Sequence, residues 1–220
     1  MIVSVGNTKG GVGKSTAAVQ IAIALARKNR RVLIINGDRQ KSALYAIAAR
    51  QAAGVLPEVS CVLCNEGDEL EQLLNKQASD FDDVIIDVGG RDSSAFRAAL
   101  VHCELLYVPT QPRAFEDWAL EDLTLLLDQA TAARQALKLS PLRVLAGLSL
   151  ADHGSIAADN EDAKKSLMSL PQVTFVDAPL RRRKAFWYSV AQGLGVAELK
   201  PVDRKAIAEL DHLMKTLFNI

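Results

Sequence analysis

An eight-residue stretch near the start of the chain has the composition of a phosphate-binding loop. Residues 9–16 read Lys-Gly-Gly-Val-Gly-Lys-Ser-Thr and follow the apolar run 2–6. This order predicts a strand, a glycine-rich loop and the start of a helix. Without side chains at Gly10, Gly11 and Gly13, backbone N–H groups approach phosphate oxygens closely. The start of the helix adds unpaired N–H donors and the positive end of its dipole.

The end of this stretch supplies a cation and a hydroxyl. Lys14 is placed to reach the β- and γ-phosphates of a nucleotide, and the Ser15 hydroxyl to bind Mg²⁺. A glycine-rich turn without a ligand is the alternative, but eight matched residues after a strand are a specific signal. We therefore expect ATP and Mg²⁺ as cofactors. The residues expected to hold the nucleotide in this loop are Lys9, Gly10, Gly11, Val12, Gly13, Lys14, Ser15 and Thr16.

The loop departs from the general pattern G-x-x-x-x-G-K-[ST] at its first position, which is Thr8, and it carries an additional lysine, Lys9. With this deviant Walker A motif the chain resembles the ParA/MinD family of partitioning and positioning ATPases, and most of all its small ParA-type members. The resemblance implies that Lys9 reaches across a face-to-face dimer to the partner's phosphates. Such a contact resembles an arginine finger in trans, worth roughly 10³–10⁵ in rate. An ATP-dependent homodimer is therefore expected.

A buried acid is predicted at the end of another strand. Asp87 follows Val84-Ile85-Ile86 and precedes two glycines, as a Walker B aspartate that holds Mg²⁺ through water would. Ligands gather at the carboxyl ends of parallel strands, which agrees with this position. An ordinary turn at the end of a strand is the alternative. The predicted metal-binding residues are Ser15 and Asp87.

Residues 36–40 read Asn-Gly-Asp-Arg-Gln. In partition ATPases this segment usually reads Asp-x-Asp-Pro-Gln, and the resemblance implies that Asp38 orients the attacking water. Asn36 departs from that pattern and cannot carry negative charge, so a second carboxylate near the metal is absent and a low intrinsic rate is expected. Asp38 as an exposed turn residue is the alternative. The predicted catalytic residues are Lys9, Lys14 and Asp38.

Two further segments are similar to the family at lower specificity. Residues 108–112 read Val-Pro-Thr-Gln-Pro and precede Trp118, and residues 178–181 read Ala-Pro-Leu-Arg. The resemblance implies that a proline-containing segment places backbone against the adenine. Pro179 is accordingly expected in the nucleotide site.

The densest positive run is Arg181, Arg182, Arg183 and Lys184. Four adjacent cations neutralise several phosphates and give sequence-independent DNA binding that weakens with salt. The resemblance favours this interpretation, because ATP dimers of the family bind nucleoid DNA through C-terminal basic residues. A solvated loop is the alternative and stays open.

Composition limits the classes of function. Lys plus Arg and Asp plus Glu each number 26, so nucleic-acid binding requires a local patch. No stretch approaches the ~20 apolar residues of a membrane span, and the first strand leaves no room for a signal peptide. Three cysteines indicate reduced thiols, and the Cys61–Cys64 spacing lacks the second pair of a zinc site. These features predict a cytoplasmic protein that does not bind membranes, and the resemblance implies that it is nucleoid-associated.

Apolar runs alternate with helical patterns along the whole chain, which predicts one α/β domain over residues 1–220. The glycine loop and the resemblance imply that this is a P-loop NTPase domain. Its mainly parallel, twisted sheet would have about seven or eight strands, with helices on both faces. The predicted strands are 2–6, 31–36, 59–63, 83–87, 104–109, 142–149 and 173–176. The predicted helices are 15–29, 41–53, 68–77, 93–101, 115–136, 157–169, 185–192 and 202–218, the last an amphipathic helix docked on the domain.

The leading functional hypothesis is a ParA-type partition ATPase. It would bind Mg-ATP, dimerise, bind nonspecific DNA, and be reset by slow hydrolysis that a ParB-like partner stimulates. Two alternatives stay open: a MinD-like positioning ATPase that cycles on membranes, and a metabolic P-loop enzyme of the same fold. The sequence does not identify the cargo, which is a plasmid, a chromosome or a protein assembly.

Overall fold

The computed structural model describes residues 1–90, 92–112, 117–152 and 158–220, with the side chains of residues 117–119 left out. Trp118, which was named as part of the family resemblance, therefore lies outside the described side chains.

A parallel sheet of eight strands forms the centre of the structure. The spatial order is β3-β2-β4-β1-β5-β6-β7, and β8 pairs with β6 beyond the end of β7. Seven of the strands lie where the sequence predicted them, whereas β8 has two residues, too few for a hydrophobic period to reveal. The strands are β1 Ile2–Val5, β2 Val32–Gly37, β3 Ser60–Leu63, β4 Asp83–Val88, β5 Leu105–Thr110, β6 Arg143–Ala151, β7 Thr174–Phe175 and β8 Leu180–Arg181.

The predicted helices are also present in the described residues, while the predicted starts at residues 115 and 157 lie outside them. The first ends earlier than predicted, because the chain turns at Asn29, whose φ of 62° lies in the left-handed region. The helices are α1 Lys14–Ala26, α2 Ser42–Ala52, α3 Gly67–Gln77, α4 Ser94–His102, α5 Asp117–Ala136, α6 Ala158–Met168, α7 Lys184–Ala191 and α8 Arg204–Phe218.

The helices cover both faces of the sheet, as predicted. Side chains alternate along each strand, so Ile34 joins a core with α1, α2, α7 and α8, while Leu33 and Ile35 join a second core with α3, α4, α5 and α6. The last helix is docked on the first core, burying Leu210, Leu213 and three further residues. The predicted amphipathic docking is therefore confirmed.

A buried arginine joins α2 to the C-terminal part of the chain. The Arg50 side chain is 1% exposed and donates hydrogen bonds to the Pro57 and Gly193 carbonyl oxygens. It also pairs with both carboxylate oxygens of Glu198, at 2.7 and 2.9 Å. At Gly193, a Cβ would lie 2.3 Å from the backbone nitrogen of Arg50, so only glycine permits this close approach of the two segments. The contact fixes α2, and the segment that precedes it, against the domain.

Strand register brings the predicted site residues to one edge of the sheet. Asp87 on β4 is level with Val5 on β1 and with Asn36 on β2. The glycine loop after β1, the segment after β2 and the glycines after β4 therefore leave the sheet side by side. We call this the carboxyl edge.

Candidate nucleotide site

The glycine loop at the carboxyl edge is held in a conformation that requires glycine. Gly11 and Gly13 have φ angles of 75° and 87°, which side chains rarely tolerate. Val12 is 1% exposed and anchors the loop inward. A Cβ at Gly10 or Gly11 would meet no atom within 4 Å, so the backbone on that side faces open space. The loop has room for a ligand against its N–H groups.

Lys14 begins α1 and directs its ammonium group into the middle of the site. Nζ donates a hydrogen bond to the Lys9 carbonyl oxygen at 2.6 Å, and the residue is only 6% exposed. Burial lowers the pKa of Lys14, while the charges of Asp87 and Asp38 oppose that effect. These interactions place the predicted phosphate-binding lysine between the loop and the two predicted acids.

A glycine after β4 lets two segments of the site meet. A Cβ at Gly90 would lie 2.7 Å from the Gly10 Cα and 3.1 Å from the Lys14 Nζ. Both distances are shorter than side chains normally allow, so any larger residue would displace the loop or the lysine. The glycines that first indicated a turn after the Walker B strand therefore have a packing role at the site.

Asp87 is fully buried at the end of β4. Neither carboxylate oxygen accepts a hydrogen bond of regular geometry. Burial raises the pKa of Asp87 to about 7, the nearby Ser15 hydroxyl and Lys14 oppose the rise, and Asp38 adds to it. A buried carboxylate with no hydrogen bond of regular geometry is costly unless a cation compensates it. The carboxylate of Asp87 and the hydroxyl of Ser15 therefore fit a magnesium ion.

No three His, Cys, Asp or Glu side chains converge as a metal site in the described part of the chain. A magnesium ion at Asp87 and Ser15 would consequently need other oxygen ligands. Mg²⁺ commonly binds through one or two protein ligands together with substrate phosphates and water. The donor set thus fits magnesium that arrives with a nucleotide better than a resident metal.

Asp38 is half-buried and lies beside the glycines that follow β4. Its Oδ1 accepts a hydrogen bond from the Gln40 backbone N–H at 2.9 Å, and a Cβ at Gly89 would lie 3.7 Å from its carboxylate. Asn36, which is fully buried, donates from Nδ2 to the Asp38 carbonyl oxygen at 2.6 Å and accepts from the Leu44 N–H at 3.4 Å. The sequence indicated only a missing charge at Asn36, whereas its amide holds the Asp38 segment in place.

Asn7 contributes to the site and was not predicted. Its Nδ2 donates to the Pro109 carbonyl oxygen at 3.0 Å, and its Oδ1 accepts from the Lys9 N–H at 3.0 Å. These bonds attach the start of the glycine loop to the end of β5. The signal in the sequence that could have identified Asn7 is its position, directly between an apolar strand and a glycine loop.

The end of β6 also lies against the glycine loop, and the sequence did not predict this contact. A Cβ at Gly13 would lie 2.8 Å from the Ser149 Oγ. The next residue, Leu150, has a φ of 53°, and the pairing of β6 with β8 is irregular there. Ser149 is level with Leu180, the neighbour of Pro179, so the β-bridge brings the predicted Pro179 to the same edge. No local sequence pattern connects these distant segments.

Two cations of the basic run, residues 181–184, are engaged within the domain. Arg181 and Arg183 both contact the Glu209 carboxylate on α8, at 3.2 and 2.7 Å. Burial raises the pKa of Glu209, whereas hydrogen bonds from these arginines and from the Arg181 N–H lower it. The lowering effects are together larger, so the pKa of Glu209 lies below its ordinary value. A single carboxylate therefore compensates half of the run.

The other two cations of the run face outward. The Arg182 side chain is 51% exposed, with its Nε 3.9 Å from the Asp152 Oδ1. Lys184 is exposed, and its Nζ lies 5.5 Å from the centre of the Tyr188 ring. These two side chains, rather than all four, are available to an external anion.

The cysteines are free thiols. Cys61 packs against the core of α1 and Cys64 belongs to the core of α3, because residues three apart near a strand face opposite sides of the sheet. Burial raises the pKa of Cys61 and of Cys103 to about 12. This geometry supports the interpretation as thiols and gives no metal-binding pair.

Comparison with known proteins defines the family. Residues 3–198 match the CobQ/CobB/MinD/ParA nucleotide binding domain. Because this match takes in most of the chain, the chain belongs to that family, and the predicted ParA/MinD relationship is confirmed.

A curated relative of similar length is the maintenance of carboxysome distribution protein A of Halothiobacillus neapolitanus. It is 22% identical over 214 residues, which cover 96% of this chain and 93% of the relative. Two other curated relatives, 29% and 36% identical to this chain over the matched residues, are matched over about half of their own length.

Solved structures confirm the predicted fold class. A plasmid partition protein of Borrelia burgdorferi bound to AMPPNP superposes with a TM-score of 0.66 at 19% identity, covering 98% of this chain and 99% of that one. Cobyrinic acid a,c-diamide synthase of Mycobacterium smegmatis, solved with an ATP analogue and magnesium, has a TM-score of 0.72 at 18% identity, with coverages of 100% and 96%. The domain therefore has the P-loop NTPase fold of partition proteins. None of the described helices has the length and apolarity needed to cross a bilayer.

Proposed function

We propose that this chain is a ParA-type partition ATPase with a single domain over residues 1–220. It binds Mg-ATP, forms an ATP-dependent homodimer, binds nonspecific DNA, and is reset by slow hydrolysis that a ParB-like partner stimulates. The observation that carries the proposal is the convergence of Lys14, Asp38 and Asp87 beside the glycine loop at the carboxyl edge. A cation for phosphates, a buried acid for magnesium and a second acid within reach are the parts that phosphoryl transfer to water needs.

The nucleotide is held by residues 9–16, with Pro179 beside the adenine. Backbone N–H groups of the loop and the Lys14 ammonium bind the phosphates. Ser15 and Asp87 hold the magnesium ion, which when bound neutralises charge on the phosphate oxygens. The bonds from Asn7 and the close packing of Gly90 hold the loop in position.

Hydrolysis depends on Asp38, which orients the attacking water. Asn36 is level with Asp87 on the neighbouring strand, and its amide supports this role by holding the Asp38 carbonyl group. Because Asn36 is neutral, Asp38 is the single carboxylate of residues 36–40, where partition ATPases usually have two, which is consistent with a low intrinsic rate.

Dimerisation uses the exposed side of the glycine loop. Gly10 and Gly11 are exposed and have open space beside them, so a second molecule can approach the phosphates there. Lys9 then reaches the partner's nucleotide, which makes association conditional on ATP because phosphates on both sides repel without cations.

Because the proposed function includes binding to nonspecific DNA, the proposed location of the protein is the cytoplasm, on the nucleoid. Among residues 181–184, Arg182 and Lys184 are the outward-facing cations, and they form the core of the contact, with Arg181 and Arg183 contributing less. The cargo and its ParB-like adaptor are proposed by analogy with relatives whose names specify plasmid partition or carboxysome distribution.

The alternative functions have separate support. Similarity to cobyrinic acid a,c-diamide synthase favours a metabolic enzyme of the same fold. The near full-length match to a carboxysome distribution protein, together with Lys9, favours partition instead. A MinD-like membrane anchor would need the apolar face of α8, which is already packed against the core.

Calorimetry with Mg-ATP tests the proposal. The wild-type protein is expected to release heat on binding, and Lys14→Ala to lose it, because the phosphate charge would have no partner in the loop. Lys28→Ala is the matched control, since Lys28 is exposed outside the site. Equal ATP affinity in Lys14→Ala and Lys28→Ala would refute the assignment of the nucleotide site.

A further inference from the structure

Helix α7 exposes aromatic rings on its outer face. Its buried residues are Ala185, Phe186 and Ser189, whereas Trp187 and Tyr188 are 57% and 46% exposed. A helix on the surface of a soluble domain normally has polar residues on its outer side. Two adjacent aromatic rings in this position indicate a contact surface rather than part of the core.

The rings are arranged together with two cations. Trp187 and Tyr188 pack edge to face, with centroids 5.9 Å apart and planes at 83°. The Lys184 Nζ lies 5.5 Å from the Tyr188 centroid, and Arg182 is half-exposed two residues earlier. We call these four residues the aromatic–cationic surface. The surface carries two cations, of which Arg182 has the Asp152 carboxylate 3.9 Å from its Nε, and its exposed Trp187 ring is available for stacking.

This combination fits one kind of ligand. Proteins that bind single-stranded nucleic acid pair cations for the backbone with aromatic rings on which bases stack. In a duplex the base faces are covered by neighbouring pairs, so the rings would have no stacking partner there. We propose that the aromatic–cationic surface binds single-stranded nucleic acid, with Trp187 stacking on a base and Lys184 and Arg182 contacting phosphates.

The inference goes beyond the proposed function, since it requires neither ATP nor a dimer. All four residues belong to one chain, and they lie on α7 and the segment before it rather than in the glycine loop. A lipid surface would be a less suitable ligand, because insertion into a bilayer needs a broad apolar face, and the inner residues of this eight-residue helix are packed in the core.

Fluorescence anisotropy with a labelled 15-nucleotide oligo(dT), in the absence of nucleotide, tests the proposal. Trp187→Ala is expected to weaken binding roughly tenfold, the loss of one base–aromatic stack. Trp187→Phe keeps a ring and is expected to stay within about threefold of wild type. Leu125→Ala is the matched control, because Leu125 on α5 is 56% exposed and lies elsewhere on the surface. Thermal melting verifies that each variant is folded.

Two further measurements separate stacking from charge. Lys184→Gln is expected to reduce the slope of log affinity against log salt by about 0.7, the value for one phosphate contact on a single strand. In a Trp118→Phe background, where Trp187 is the remaining tryptophan, oligo(dT) is expected to quench the fluorescence. Lys14→Ala is expected to bind oligo(dT) like wild type, so failure of the proposed ATPase does not affect this test.

Three results would overturn the inference. The first is equal affinity of Trp187→Ala and Leu125→Ala for oligo(dT). The second is binding to duplex DNA that is as tight as to oligo(dT) and equally sensitive to Trp187→Ala. The third is Trp187-dependent binding to phosphatidylserine vesicles with no binding to oligo(dT), which would assign the surface to a membrane.

Discussion

The glycine loop and the basic run were both predicted from short stretches of sequence, but the structure treats them differently. The loop, residues 9–16, presents its own backbone N–H groups to a ligand. Glycines with positive φ determine its shape locally. The basic run, residues 181–184, depends on side chains whose partners lie on another helix, where Glu209 engages Arg181 and Arg183. A motif built from backbone geometry can therefore be recognised from sequence, while the availability of charged side chains depends on their tertiary neighbours.

The largest expected effect concerns chemistry at the carboxyl edge. Asp38→Ala is expected to bind ATP normally but to lose hydrolysis by roughly 10²-fold or more, because the water loses its orienting base. The ATP-bound dimer would then accumulate, which light scattering measures. Asp68→Ala, at an exposed acid on α3, is the control. A variant that stays monomeric in ATP would contradict the role assigned to Asp38.

A second prediction tests whether the loop depends on its neighbour after β4. Gly90→Ala is expected to lower the free energy of unfolding by about 1–3 kcal/mol, since the new methyl group overlaps Gly10 and Lys14. Gly10→Ala is the contrast for stability, because its methyl group would enter open space. Chemical denaturation of the nucleotide-free protein measures both. Equal stability of the two variants would show that the close packing at Gly90 carries no cost.

The basic run offers the reverse experiment, in which removing an acid strengthens binding. Glu209→Gln is expected to release Arg181 and Arg183 and to increase affinity for duplex DNA several-fold. The slope of log affinity against log salt concentration is expected to become steeper by about 0.9 for each added phosphate contact. Asp211→Asn is the matched control, because it removes the same charge from an exposed position on α8. An equal gain in both variants would mean that net charge, not the pairing, controls DNA binding.

Neutralising the run itself sharpens the same point. Replacement of residues 181–184 by neutral residues is expected to flatten the salt dependence of duplex binding, measured by filter retention at several salt concentrations. Unchanged retention would exclude the run as the DNA contact.

The smallest expected effect is the pH dependence of the Glu209 contact. The pKa of Glu209 is lowered in the folded state, so its contribution to stability is present above the ordinary pKa and is lost as the pH falls through the folded value. Screening limits the contribution to about 1 kcal/mol. The difference in unfolding free energy between wild type and Glu209→Gln is therefore expected to be largest near pH 7 and to shrink below about pH 4.5. A difference that grows on acidification would contradict this sign.

Much of the architecture could be predicted because it repeats along the chain. Strands such as Val84-Ile85-Ile86 are apolar on both faces, and turn residues separate them from helices of recognisable period, so seven strands and all described helices were found near their observed positions. The two-residue strand β8 was missed because it has no period of its own and exists only through its pairing with β6.

Within the site, residues adjacent to a motif were predicted and those supplied from elsewhere were not. Asp87 and Asp38 follow strands directly, so the parallel sheet had to bring them to one edge. Ser149 comes from a strand far along the chain, and only tertiary structure places its hydroxyl against Gly13. Asn36 was identified as a missing charge, but its hydrogen bond to the Asp38 carbonyl group could not be inferred from residue type.

The sequence by itself determined the fold and the phosphate-binding loop, because both follow from local rules: hydrophobic period, glycine at positive φ, and a helix that begins at Lys14. The tertiary structure decided which charges are available. It buried the Asp87 carboxylate, paired Arg181 and Arg183 with Glu209, and left Trp187 exposed beside cations. The physical reason is that burial and charge compensation depend on atoms distant in sequence, which no short pattern encodes.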